Sequence, residues 1–244
     1  MSPSDEHRPG HAGCDCGSAD STDTGHPGHE HGQPGPLADA SVRRARPTDA
    51  PAVGIVQLQA MRTDYAPVLP PAAMAALGSL DEADLARMWR DSLQAPPSPR
   101  HRLLVACAGD QVVGLAAFGP SDDRDADPET ADLETLAVHP RARGQGHGSR
   151  LLNAAVDEAR AAGFTWLTTW VPLDLPQMRA FVQAAGFGPD RARRQRAVDP
   201  DGGTLMEVRL GTSLAERPEN SETPETSKTP ESPDTPEDPG AGSR

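Results

Sequence analysis

The sequence predicts a mixed α/β domain, and three observations carry that prediction. Apolar runs over 103–108 and 112–118 meet at Gly109-Asp110, as the two arms of a hairpin do. Residues 132–155 read as a strand, a tight loop bearing Gly144, Gly146 and Gly148, and then an amphipathic helix. A second pair of runs, 191–198 and 204–210, turns around Asp201-Gly202-Gly203 and closes the domain with another hairpin. Hairpin strands pair antiparallel, so a sheet built from these pieces is at least partly antiparallel.

The folded part is expected to begin near Ser41, where 41–46 reads as a short strand. Pro47-Thr48-Asp49 then supplies a helix start for 50–61, because proline suits a first helical turn and short polar residues cap it. Residues 65–71 form a proline-rich break before a weaker helix from Ala72. Ser79-Leu-Asp-Glu-Ala-Asp resembles a capping box that leads into Leu85, Met88, Trp89 and Leu93. After the first hairpin comes an acidic loop, 121–131, and then the central strand. The helix behind that strand shows the apolar stripe Leu151, Leu152, Ala155, Val156, Ala159 and Ala162, and Gly163 is placed to stop it. Residues 164–170 give a further strand with aromatic side chains on alternate positions, and 176–185 a helix ending at Gly186-Phe187.

The glycine loop is the candidate binding element. Glycines let the backbone turn sharply and approach a ligand, since a Cβ would block both. The helix behind it offers unpaired N–H groups and the positive end of its dipole, which suits a phosphate or pyrophosphate. A Walker A loop would need a lysine after its last glycine, and none follows Gly148. A dinucleotide fingerprint, Gly-x-Gly-x-x-Gly, is broken by Gly144-Gln-Gly146-His-Gly148-Ser149. What stands here is Arg143-x-x-Gly146-x-Gly148, entered from Leu136-Ala137-Val138 and a His139-Pro140 corner.

With those flanks the loop resembles the acyl-CoA signature of the GNAT superfamily of N-acyltransferases, Arg/Gln-x-x-Gly-x-Gly/Ala, and the element order over 41–211 is similar to that superfamily's. The resemblance implies a GNAT-type α/β (α+β) fold, with a mixed, mostly antiparallel central sheet flanked by helices. It implies transfer of an acetyl group from acetyl-CoA, the co-substrate, straight to an amine in a ternary complex, with no metal required. Arg143, Gly144, Gln145, Gly146, His147, Gly148 and Ser149 would hold the pyrophosphate, and the strand backbone of Leu136, Ala137 and Val138 would meet the pantetheine arm and thioester. Glu134 stands where many members carry the base that frees the amine of its proton, with Asp132 on the same strand face as the second candidate. His139 and His147 fall in the loop and read as a corner residue and a filler.

One departure from the superfamily's pattern lies in the last helix. Many members carry there a tyrosine that donates a proton to the leaving thiolate; this chain has Val182, and its one tyrosine, Tyr65, is far away in sequence. The departure keeps a second reading open, an acyl-CoA-binding sensor or interaction module with weak or no transfer. The acceptor, an amine of a small molecule or a protein, would be met by 60–95, the 119–131 loop and the closing hairpin, none of which shows a recognisable pattern. Dimers are frequent in the superfamily, so a homodimer is an expected assembly.

Composition sets the remaining bounds. All four Phe and all three Trp lie between Trp89 and Phe187. The first 40 residues and the stretch from Ser213 onward carry −6 and −5 of the net charge of −13, which leaves the middle nearly neutral. A basic nucleic-acid-binding face is therefore not expected. Residues 1–40 and 212–244 read as acidic disordered tails, the first holding His7, His11, Cys14, Cys16, His26, His29 and His31. That composition raises metal loading as a sharper alternative to a plain extension. No stretch is apolar and long enough for a signal peptide core or a membrane span, so cytoplasm is the expected compartment. Cys107, in an apolar strand, reads as a small buried hydrophobe.

Overall fold

The structure, a computed structural model, describes residues 40–215. The expected tails lie outside the described residues except for Ala40 and 212–215, and so do the histidines and cysteines of the first tail. Seven strands form one sheet: β1 (Ala40–Arg44), β2 (Arg102–Ala108), β3 (Gln111–Pro120), β4 (Thr130–Val138), β5 (Trp166–Pro172), β6 (Gly188–Ala197) and β7 (Thr204–Ser213). Their order is β1-β2-β3-β4-β5-β7-β6. Every neighbouring pair is antiparallel except β4 with β5, which run parallel. The mixed, mostly antiparallel sheet expected from the sequence is thus the one present.

Five helices cover the sheet. They are α1 (Ala50–Tyr65), α2 (Pro71–Ser79), α3 (Glu82–Gln94), α4 (His147–Ala161) and α5 (Pro176–Ala184). On one face, Leu151, Leu152, Ala155 and Ala159 of α4 and Val182 of α5 pack against Leu104, Ala116, Phe118, Leu133 and Leu167 of the sheet. The stripe read from helical spacing is therefore the buried one, and each fully buried Leu contributes about 1.5–3 kcal/mol. On the other face, Val53 and Val56 of α1, joined by Trp89 and Leu93 of α3, cover Leu103, Val105, Leu115 and Ala117.

Three local readings need correction. α1 continues past Met61 to Tyr65, because the first proline of the break comes only at Pro67. The cap of α3 is Asp81, whose carboxylate accepts from the Ala83 N–H at 3.0 Å, while the Ser79 hydroxyl donates back to Ala76. An aspartate in extended conformation directly before the helix outcompetes a serine that still belongs to α2. His147 is no loop residue; it opens α4.

Candidate active site

The site begins where β5 leaves β4. The two strands pair only from Thr130–Asp132 to Trp166–Thr168, and β4 runs on to Val138 without its neighbour. Past the last pair, the Thr169 hydroxyl bridges to the Leu133 carbonyl at 3.0 Å, a side chain standing in for a ladder bond. The His139 N–H turns towards β3, donating to Val113 at 2.8 Å. Backbone groups alternate sides along a strand, so those of Val138 and Leu136 face the gap.

At the mouth of the gap lies the glycine loop. Gly144 and Gly146 hold φ of 75° and 79°, the left-handed region that side chains avoid, and Gly146 caps α4. Gly148 is small for a different reason: a Cβ there would come 3.3 Å from the Phe181 ring of α5. Arg143 does not reach outward. Its guanidinium is paired with both oxygens of Asp64, at 2.7 and 2.9 Å, and its Nε donates to the Val138 carbonyl at 3.2 Å. Arg150, one turn into α4, folds back to donate to the Gln145 carbonyl at 2.9 Å and lies against Gly146. The N–H groups of His147, Gly148 and Ser149 in the first turn of α4 have no carbonyl partner within the helix, while the Arg150 N–H closes the first helical bond on the Gly146 carbonyl at 3.1 Å. These features fit an acyl-CoA: left-handed glycines and a helix N-terminus lie at the mouth of a gap along which β4 has no partner strand.

His147 is 3 % exposed, and neither ring nitrogen has a hydrogen-bond partner. Burial and the nearby Arg150 both push its pKa down, so the ring is neutral.

Two carboxylates stand on β4 below the loop. A bulge opposite Ala117 and Phe118 leaves Glu134 without a paired residue on β3. Glu134 is exposed beside a cavity of about 210 Å³ whose other walls include Trp89, Leu93, His101, Leu103 and Phe118. Although the side chain reaches solvent, its carboxylate is partly desolvated by the cavity walls, which raises its pKa; the nearby His101 opposes that and Asp122 adds to it. Asp132 is pushed up to about 7, by burial first and then by the charges of Asp123 and Glu134. The Thr168 hydroxyl approaches its carboxylate at 3.5 Å.

Two acids of the loop before β4 are committed to the protein itself. Asp123 and Asp125 bind Arg209 at 2.9 and 2.5 Å, Asp190 joins them at 2.6 Å, and Trp170 donates to Asp123 at 3.0 Å. Among the described residues no cluster of three His, Cys, Asp or Glu could hold a metal, and no helix is long and apolar enough to cross a membrane. Sequence reasoning missed Asp64, Thr169 and Arg150. Only Arg150 had left a signal, one helical turn after Gly146.

In sequence the chain is similar to the mycothiol acetyltransferase of Thermobispora bispora, 39% identical over 92 residues that make up 38% of this chain and 26% of the relative. It is also similar to that of Mycobacterium avium, 40% identical over 88 residues, or 36% of this chain and 25% of the relative. The chain thus spans about a quarter of the length of these curated relatives. In fold it is similar to an acetyltransferase of Salmonella typhimurium solved with its cofactor acetyl-CoA, at TM-score 0.54 and 20% identity over 73% of this chain and 96% of that one. The ribosomal-protein-alanine N-acetyltransferase of Brucella melitensis superposes at TM-score 0.55 and 21% identity over 71% and 99%. Residues 59–187, more than half of the chain and the whole of the gap, loop and α4, match the acetyltransferase (GNAT) family, to which this chain belongs.

Proposed function

We propose that the chain transfers an acetyl group from acetyl-CoA to an amine by direct attack in a ternary complex. The observation that carries this reading is the parting of β4 from β5 with a glycine-turned loop and a helix N-terminus at its mouth. The N–H groups of 144–149 bind the pyrophosphate, Arg143 adds its charge to that end of the site while its guanidinium stays on Asp64 and the Val138 carbonyl, and Arg150 braces the loop through the Gln145 carbonyl. The gap-facing backbone of Leu136 and Val138, on either side of Ala137, aligns the pantetheine arm and orients the thioester. When bound, the co-substrate supplies a thioester carbonyl open to attack. A protonated amine has no lone pair to attack with, so a carboxylate must take its proton.

Glu134 fills that role beside the 210 Å³ cavity, where Trp89 and Phe118 give an acceptor an apolar wall. Asp132, titrating near 7, is a second proton acceptor on the same strand. The acceptor is an amine of a small molecule or a protein, and the chain works in the cytoplasm on these partners without nucleic acid or membrane. A homodimer is the assembly to check by mass in solution. Val182, which stands where many superfamily members carry a tyrosine, is packed into the core and has no proton to give, the observation that favours the alternative of a binding module without transfer.

Thiol release from acetyl-CoA across a panel of amines decides between them. One amine class should release thiol, with the rate rising through pH 7. Glu134→Gln should cut kcat about a hundredfold and leave acetyl-CoA affinity intact. Binding without release from any amine would establish the module reading instead.

A further inference from the structure

We infer that the acceptor is a small apolar monoamine, an aryl- or branched alkyl-amine that carries one ammonium group and no other charge. The inference rests on the acetyl-transfer reading above and names the acceptor class of that same site. Glu134 belongs both to the stretch of β4 that has left β5 and to the wall of the cavity of about 210 Å³. It stands two residues, about 7 Å along the strand, from Leu136. An amine on its carboxylate is therefore within reach of a thioester aligned on that backbone.

The cavity walls fix what the rest of the amine can be. Trp89, Leu93, Leu103, Ala117 and Phe118 present carbon, and the Trp89 indole N–H is taken up by the Gln57 side chain at 2.6 Å. His101 packs over Gly119, where a Cβ would overlap its ring, and its Nδ1 is bonded to the Ser98 hydroxyl at 2.8 Å. Glu134 is the one carboxylate on the lining, so the cavity has a single seat for an ammonium. Arg44 and Arg102 also line it, but their guanidiniums are committed elsewhere. Arg44 holds Glu158 of α4 at 2.6 and 3.0 Å, and Arg102 donates to the His101 carbonyl at 2.9 Å and lies 3.7 Å from the same Glu158. A carboxylate on the acceptor would be buried with no free cation to meet it, and a second ammonium would face carbon and two positive charges. The volume is below the roughly 300–1,000 Å³ of pockets for drug-sized ligands, which suits a compact body. In the reaction the ammonium gives one proton to Glu134, its nitrogen bonds the acetyl carbon and the carbon–sulfur bond breaks. The second proton of the nitrogen ends on the sulfur, and Glu134 returns its own to solvent.

Phenethylamine and isoamylamine are compared with phenylalanine, which adds a carboxylate, with putrescine, which adds an ammonium, and with an alanyl peptide. Titration calorimetry reads amine binding and thiol release reads turnover. The two monoamines should show kcat/KM at least about a hundredfold above the other three, and shortening isoamylamine should cost about tenfold or more per methylene. Leu93 is half-buried, and Leu93→Lys should raise KM for phenethylamine about tenfold or more with acetyl-CoA affinity unchanged, which also shows the variant folded. Turnover of phenylalanine, putrescine or the peptide as good as that of the monoamines overturns the inference and leaves acetyl transfer standing, and so does an unchanged KM in Leu93→Lys. Phenethylamine binding with no thiol released from any amine keeps the apolar amine as the ligand of the cavity and removes the transfer reading. Neither binding nor release overturns both.

Discussion

Asp132 and Glu134 are two residues apart on one strand, yet water reaches them very differently. Glu134 sits on the outer side of a bulge, while Asp132 lies among Asp123, Thr168 and the β5 backbone, pushed up to about 7. Because the folded chain holds the Asp132 proton more tightly than the unfolded chain, this contribution to stability is complete below about pH 4. It is lost as pH rises through about 7. Asp132→Asn removes a group that must otherwise ionise in a poorly solvated place. It should raise stability at pH 8 by roughly 1–3 kcal/mol and change it little at pH 4, read by denaturant unfolding at both values. Equal effects at the two pH values would mean that Asp132 ionises as freely in the folded chain as in water. Sequence alone named both carboxylates but could not rank their surroundings, since Asp123 and Thr168 reach Asp132 through the fold.

The helices show where sequence spacing is a sufficient guide and where it stops being one. The buried face of α4 follows from apolar residues three and four apart, and its end from Gly163 at a φ of 79°. These features depend on neighbours within two turns. The approach of α1 to the glycine loop does not: Asp64 and Arg143 are 79 residues apart, and nothing local in either announces the pair. Cap choice lies between these cases, since Ser79 and Asp81 are both plausible by type and only the end of α2 decides. Asp81→Ala should therefore cost about 1 kcal/mol in unfolding free energy, and Ser79→Ala only a few tenths. The reverse order would return the cap to Ser79.

At the scale of the molecule, the sheet is two antiparallel blocks, β1–β4 and β5–β7, joined by three residue pairs and two threonine hydroxyls. Hairpins were readable because each closes over a few residues. The parting of the blocks was not, because it depends on where β5 turns from β4 and on α1 and α5 closing around the mouth. A ligand lying in that gap touches both blocks, so its binding free energy is added to the stability of the whole. At a concentration a hundredfold above its Kd, acetyl-CoA should stabilise the chain by about 2.7 kcal/mol. For a domain of this size that is a rise of about 5–10 °C in Tm. Gly146→Glu should lose this rise. Its φ of 79° strains any side chain, its Cβ would lie 3.1 Å from the Arg150 guanidinium, and its carboxylate would occupy the place of the phosphates. The variant keeps both hydrophobic cores, so its own Tm should fall by only a few degrees, and the two effects separate in one titration. A full acetyl-CoA shift surviving in Gly146→Glu would remove the loop from the binding site and leave the gap without its anion cradle.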